Sequence, residues 1–195
     1  MTAISPLGSI HKKGVYGDHH KKNQSNLLEI CEVKNLKIIQ IFQYKKSKVE
    51  INEIKIDNLL PPTQNSNVSS NKETRILWNA PKTWLVVSSK EGIVDDILQK
   101  CSDKNFAVTD LSHSRAVIQI RGLEAIEVLK KGCPINLNEF KLNNCAGTIF
   151  HGINIIVDFV STDPNTFNLF TLRSFGETFY HHVTDAALEY GFIAI

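Results

Sequence analysis

Apolar and polar positions begin to alternate at residue 27. Leu28 and Ile30, then Ile39 and Ile41, recur at every second position on either side of the polar pair Lys34-Asn35, which predicts a β-hairpin. Residues 75–78 and 84–87 read as two more short strands about the turn Asn79-Ala80-Pro81. Between these pairs, the Asn- and Ser-rich stretch that follows Pro61-Pro62 and runs to Lys72 is too polar to bury and predicts a surface loop. Ser88 and Glu91 have the spacing of a capping box, and behind them Ile93, Val94, Ile97, Leu98 and Cys101 form an apolar stripe at helical spacing.

A second lobe is expected from residue 105. Ala116, Ile118 and Ile120 alternate along the strand Arg115–Arg121, and Gly122 marks the change to a helix carrying Leu123, Ile126 and Leu129, ended by Gly132 and Pro134. Residues 148–150 and 153–160 pair across His151-Gly152, and the turn Asp163-Pro164-Asn165 leads to a strand over 167–172. A second capping box, Ser174 with Glu177, opens a helix whose Phe179, Val183, Ala186 and Tyr190 face inward and which stops at Gly191. The pattern therefore predicts an α+β fold of two small lobes, 27–104 and 105–195, each an antiparallel sheet covered by helices. Residues 1–26 lack apolar periodicity and read as a flexible amino-terminal arm.

A chain of 195 residues, 42% hydrophobic, carries enough apolar material for a proper core. No apolar run approaches the roughly 20 residues that span a bilayer, and residues 1–18 lack the apolar block of a secretory leader, so the expected location is the cytoplasm. A net charge of +2 is too small for a dedicated nucleic-acid surface. The cluster Lys12, Lys13, Lys21, Lys22, Lys45, Lys46 and Lys48 reads as a solvated face, without the interleaved aromatics of a nucleic-acid platform. Lysine far outnumbers arginine, and Asn and Ile are abundant, as an AT-rich coding sequence would write at tolerant positions.

Chemistry-bearing patterns are sparse. Walker, dinucleotide and zinc-ligand spacings are missing, and the ten glycines never cluster at a strand-to-helix turn as a bound pyrophosphate requires. Cys31, Cys101, Cys133 and Cys145 form no Cys-x-x-Cys pair and are expected reduced and mostly buried. The adjacent pairs His19-His20 and His181-His182 point in different directions and do not predict a metal. The densest polar segment, Thr109-Asp110-Leu111-Ser112-His113-Ser114-Arg115, holds an acid, a hydroxyl and an imidazole. Triads are assembled from sequence-distant residues, so Asp110 and Ser112 read as turn formers. Cys133, near a helix end, reads as packing, and Trp78 and Trp84 as core or interface.

Several segments together resemble a known family. Thr74-Arg75-Ile76-Leu77-Trp78, Ala80-Pro81 and Trp84-Leu85-Val86-Val87 are similar to the R-hydrophobic-L-W-x-x-P-x-x-W-L stretch of sarcosine oxidase gamma subunits. The run Val108 with Thr109 to Arg115, then Ile120-Arg121-Gly122, Val128-Leu129 and Lys131-Gly132-Cys133-Pro134-Ile135-Asn136-Leu137, resembles that family's V-T-D-x-S-x-x-R and K-G-C-P-x-D-L blocks. Asn136 stands where the family more often has Asp. Ser5-Pro6-Leu7, Cys145-Ala146, residues 167–175 and the closing helix also match. The likeness covers most of the chain after Leu27, with the Lys-Gly-Cys-Pro block its most specific part.

The resemblance implies the fold of the folate-binding domain of glycine-cleavage T-proteins and membership of a heterotetramer with alpha, beta and delta subunits. That complex oxidises sarcosine to glycine, passing the methyl carbon to tetrahydrofolate or releasing formaldehyde, and forms hydrogen peroxide. FAD, FMN, NAD, tetrahydrofolate and zinc are implied for the partner subunits and none for this chain. The family assigns no catalytic, cofactor-binding or metal residue here; Asp110, His113 and Arg115 are structural matches. A stand-alone, folate-dependent aminomethyltransferase-like one-carbon enzyme is the alternative, against which the short chain argues. Neither nucleic acid nor membrane is an expected partner.

Overall fold

The computed structural model describes residues 5–20 and 22–195. Along these the chain forms β1 (Gly14–Tyr16), β2 (Leu28–Glu32), β3 (Lys37–Gln43), β4 (Val68–Ser70), β5 (Thr74–Ala80), β6 (Thr83–Ser88), α1 (Ile93–Lys100), β7 (Phe106–Asp110), β8 (Arg115–Arg121), α2 (Ala125–Lys130), β9 (Cys145–Phe150), β10 (Ile153–Thr162), β11 (Asn165–Leu172), α3 (Gly176–Ala187) and β12 (Phe192–Ala194). The architecture is α+β with two sheets, as the pattern predicts. Among the described residues, one compact unit comprises 5–20, 22–34, 114–142 and 146–195, the other 35–113 and 143–145. These differ from the expected sequential lobes 27–104 and 105–195. Strand pairing sets the units, and it takes β2 out of the first expected lobe and β7 out of the second.

In the first unit the strand order is β1-β12-β2-β8-β11-β10-β9. Neighbours are antiparallel except β12 and β2, which run parallel with Phe192 opposite Leu28. Leu28, Ile30, Ile118, Ile120, Val157, Phe159, Phe167 and Leu169 are all buried in one core with residues of α2 and α3. Phe159 stacks on Phe167 at 4.4 Å between ring centres, and Phe150 meets Phe179 edge to face at 5.9 Å. Each buried phenylalanine contributes about 2–3 kcal/mol of transfer free energy. His151 and Gly152, both at positive φ, make the two-residue turn expected between β9 and β10.

The amino-terminal arm is more ordered than its composition suggests, although residues 1–4 and 21 lie outside the described residues. Leu7 is fully buried in the core of this unit, the Ser5 hydroxyl donates to the Glu32 carboxylate, and β1 pairs with β12. A short strand with one buried anchor has too few apolar positions to show periodicity.

Helix ends also differ from expectation. Residues 173–175 form a 3-10 turn, so α3 starts at Gly176 with Phe175 before it and no side-chain cap from Ser174. Helix α2 starts two residues after Leu123, which is 70% exposed, and buries Ala125, Val128 and Leu129 instead.

The second unit has the order β4-β5-β6-β3-β7. Ile39, Ile41, Ile76, Trp84, Val86 and Phe106 bury together with Ile93 and Ile97 of α1 and with Ile51, Ile54 and Ile56. The β5–β6 hairpin forms as predicted, but turns at Pro81-Lys82, with a bulge between Trp78 and Ala80. The polar stretch expected to be a loop contains β4, whose Val68 is buried opposite Leu77. Ser88 accepts from the Lys90 backbone N–H at 3.0 Å rather than capping α1, whose N-cap is Gly92 in the left-handed conformation. Leu98 is 54% exposed, outside the buried stripe of Ile93, Ile97 and Cys101.

The predicted hairpin of β2 with β3 does not form. β2 lies between β12 and β8, and β3 between β6 and β7, in different sheets. Alternation reports that one face of a strand is buried; it carries no information about which strand accepts its backbone hydrogen bonds.

Two glycines at φ +75° separate steric crowding from backbone strain. A Cβ at Gly17 would fall 2.3 Å from the Leu188 carbonyl oxygen, whereas one at Gly92 meets nothing within 4 Å. Gly92→Ala should lose about 1 kcal/mol, the left-handed penalty alone, and Gly17→Ala about 3 kcal/mol or more. Urea unfolding of the two variants checks the difference.

Candidate functional site

The segment from Thr109 to Arg115 is the first place to look for chemistry. Asp110 closes β7, and its Oδ1 accepts from the Ser112 N–H at 2.8 Å and the Ser112 hydroxyl at 2.5 Å. Ser112 Oγ in turn accepts from the Ile38 N–H at 3.0 Å, and the Leu111 N–H donates to the Ile38 carbonyl at 2.7 Å. The hydroxyl proton therefore goes to Asp110, not to the His113 imidazole, and a nucleophilic dyad is not assembled. Burial pushes the Asp110 carboxyl up, but the bonds from Ser112, with Lys37 and His113 nearby, hold it below the usual range. The two side chains close the turn that follows β7, as their spacing predicts, and its bonds to Ile38 pin it against β3.

The Lys-Gly-Cys-Pro block lies just beyond α2. Lys131 Nζ donates to the Ala186 carbonyl at 2.7 Å and to Glu189 at 2.6 Å, and sits 4.6 Å from the centre of the Tyr190 ring. It satisfies a carbonyl at the C-terminal end of α3, where a cation is also favoured by the helix dipole. Gly132 presses on Phe150: a Cβ there would lie 2.8 Å from the ring. Cys133 is buried, and burial pushes its thiol up to about 12, so at neutral pH no thiolate is present. Three consecutive residues thus tie α2, α3 and the β9–β10 hairpin together, and none is poised to react.

The other candidates behave similarly. Trp84 is buried, and its indole N–H donates to the Pro62 carbonyl at 2.7 Å, while Trp78 opposite it is half-buried. The His182 ring packs 5.3 Å from His151 and the His181 ring 6.5 Å from Tyr180, so these neighbours diverge. The His19 and His20 rings, on a turn rather than a helix or strand, lie 4.3 Å apart, against the expectation. Among the described residues no three His, Cys, Asp or Glu side chains converge on a metal position. The first turns of the three α-helices carry Asp95 and Asp96, Glu127 and Glu177. These acids repel a pyrophosphate at the helix termini that would otherwise favour one.

Within the first unit an open groove of about 740 Å³ is bounded by Ile10, Tyr16, Tyr180, Leu188 and Phe192, with Lys12 and His182 at its margin. His11 fixes its inner wall, bonding the Tyr180 hydroxyl at 2.9 Å and the Ile195 carbonyl at 2.8 Å. Burial, with Tyr16 nearby, raises the Tyr180 phenol to about 12, too high for general acid–base work at neutral pH.

Comparison with known proteins decides the family. Residues 58–189 match the profile of the sarcosine oxidase, gamma subunit family. The chain belongs to this family. It is 30% identical over 120 residues to the sarcosine oxidase subunit gamma of Corynebacterium sp. (strain U-96), and 26% identical over 133 residues to that of an Arthrobacter species. These matches cover 60% and 66% of this chain and 58% and 64% of the relatives' own lengths.

In three dimensions the gamma-family chain is similar to a chain of heterotetrameric sarcosine oxidase from Corynebacterium sp. U-96, solved in complex with pyrrole 2-carboxylate. The TM-score is 0.81 at 20% identity, with 96% of this chain and 95% of that chain covered. It also resembles the glycine cleavage system aminomethyltransferase T from Bartonella henselae, with a TM-score of 0.60 at 12% identity. That match covers 80% of this chain and 45% of the other. The T-protein-like fold expected from the motifs is thereby shown. No helix among the described residues is long and apolar enough to cross a membrane.

The strongest electrostatic feature of this gamma-family chain escaped the sequence reading. Asp57 is buried, ion-paired with Lys90, and accepts from Asn71 Nδ2 at 2.9 Å and Thr74 Oγ1 at 2.7 Å; Thr74 also bonds Ser88 at 2.8 Å. Asp57 and Asn58, both at positive φ, form a two-residue turn between Ile56 and Leu59, and an Asp-Asn pair between isoleucine and leucine was the available signal. Lys90 above all, with Asn71 and Thr74, holds the Asp57 carboxyl at about 2 against an ordinary 3.8, overcoming the upward push of burial.

Two measurements follow from these environments. A folded pKa below the unfolded one means that Asp57 stabilises the fold above about pH 4 and that this contribution disappears as the pH falls through about 2. Asp57→Ala should cost about 2 kcal/mol at pH 7, mostly from the hydrogen-bond donors left unpaired, with a gap to the parent chain in urea melts that closes toward pH 2. With a disulfide-exchange reagent at pH 8, half-buried Cys31 should react first, and Cys101, Cys133 and Cys145 only on unfolding.

Proposed function

We propose that this chain is a non-catalytic gamma subunit of a heterotetrameric sarcosine oxidase, assembled with alpha, beta and delta subunits. One observation carries the reading. In a member of this family, the polar residues that could have formed a reactive centre, Asp110, Ser112, Lys131 and Cys133, are each engaged in closing a turn, capping a helix or filling the core. The partners would then hold FAD, FMN, NAD, tetrahydrofolate and zinc. They would convert sarcosine to glycine, with the methyl carbon leaving on tetrahydrofolate or as formaldehyde and hydrogen peroxide formed from oxygen.

The likeness to the aminomethyltransferase supports a shared fold. Asp110, the acid of the Thr109–Arg115 segment, is committed to Ser112, which speaks against an independent one-carbon enzyme. Co-expression with the three other subunits followed by size-exclusion chromatography should give one co-eluting complex, and elution of this chain by itself would overturn the proposal. Titration of the isolated chain with tetrahydrofolate should give no binding heat; saturable heat would favour the one-carbon enzyme instead.

A further inference from the structure

Arginine occurs only at positions 75, 115, 121 and 173, among 22 basic residues. In a chain that writes lysine nearly everywhere else, each arginine invites a reason. A guanidinium is weakly hydrated, always charged and shaped as a planar fork, so it suits sites where a cation must meet a carboxylate away from bulk water. Arg121 has such a partner in Glu29, at 3.1 Å.

Arg115 does not. Its Nε is enclosed with no hydrogen-bond partner among the described residues, although the residue as a whole remains part-exposed. Desolvation depresses its pKa, the signature of a cation that has lost water without gaining an anion. An unmatched buried donor of this kind calls for an explanation, and an anion supplied from outside the chain is one.

The surroundings say what kind of molecule would bring it. Arg115 stands directly opposite Leu172 in the β8–β11 ladder, so the two side chains are neighbours on one face at the end of the sheet. Leu172 is 42% exposed, and Phe175, three residues on, is 47% exposed. The turn that carries them is held firmly. The Arg173 N–H donates to the Ser114 carbonyl at 2.8 Å, and Gly176 packs so closely that a Cβ there would lie 3.0 Å from that of Ala116. The exposed Leu172 therefore neighbours a desolvated guanidinium, and the exposed Phe175 sits on the short turn that follows, a combination of residue types that concentrates at protein interfaces.

We infer that the corner of Arg115, Leu172 and Phe175 docks an acidic segment of a partner subunit of the complex, its carboxylate meeting the guanidinium and its apolar flank covering Leu172 and Phe175. This rests on the accessory-subunit reading and names the surface by which that role is carried out. A carboxylate beside the guanidinium offsets the desolvation of the whole delocalised charge, including Nε, which gives the corner its preference for an acidic partner over a neutral one.

The test uses the full-length chain co-expressed with its partner subunits. Leu172→Ser/Phe175→Ser and Arg115→Lys are compared with Leu98→Ser and Leu123→Ser, which remove exposed leucines elsewhere, and thermal melts of each isolated variant report folding. The corner variants should weaken association roughly tenfold or more, with Arg115→Lys, which keeps the charge but loses the fork, leaving the salt sensitivity of assembly unchanged. The two control variants should assemble like the parent. If the double variant folds poorly, Phe175→Ser and Arg115→Lys singly decide the matter. Corner variants that assemble with parental affinity, or controls that lose as much as they do, overturn the docking surface and leave the accessory role intact. A parent chain that fails to associate at all overturns both.

Discussion

The seven-residue ladder between β8 and β11, from Arg121 opposite Thr166 to Arg115 opposite Leu172, is the constraint on which the first unit depends. β8 is the middle strand of seven, and its alternate residues Ile118 and Ile120 point into the core that α2 and α3 cover. Its register also places Arg115 beside Leu172 at one end and Arg121 beside Glu29 of the next strand at the other. A slip of one residue would turn Ile118 and Ile120 out of the core and bring Gln119 in. Pairing, burial and the placement of two of the four arginines are consequences of one alignment.

Packing also explains why the most recognisable motifs are chemically quiet. Lys131, Gly132 and Cys133 stand where the ends of two helices meet a β-hairpin. That junction requires a long cation to satisfy terminal carbonyls, a residue without a side chain to admit Phe150, and a small apolar residue to fill the core. The second unit relies on a different device. The Asp57 cluster binds the 57–58 turn to β5, to the end of β6 and to the segment leading into α1, through a buried carboxylate whose partners leave it unavailable to a substrate.

These features suit a subunit whose contribution is shape and surface. Acidic residues at the helix N-termini repel the phosphates that flavin and nicotinamide cofactors would present there. The groove beside α3 is walled by a tyrosine too weakly acidic to exchange protons at neutral pH. Among the described residues the enclosed Arg115 Nε is left without a hydrogen-bond partner, a demand that the chain's own side chains do not meet.

Much of the secondary structure was legible in the sequence, and for a definable reason. Strand β8 alternates apolar residues at period two, strands β5, β6, β10 and β11 carry short apolar runs bounded by turns, and helices α1 and α3 carry apolar residues at a spacing near 3.6, so burial shows through. The turn chemistry of Asp110 with Ser112 and of His151-Gly152 is local and was equally readable, as was the family through its Trp and Lys-Gly-Cys-Pro blocks. Elements of three residues, β1, β4 and β12, are too short to show a period, and the capping boxes failed because Gly92 and the 3-10 turn at 173–175 set where α1 and α3 begin. Only the tertiary structure decided which strands pair, and so that β2 and β3 part company at Asn35. It alone showed that Asp57 is buried and that Arg115 Nε has no hydrogen-bond partner among the described residues, because hydrogen bonds and desolvation depend on residues far apart in the chain, and periodicity reports only what each residue does to its own segment.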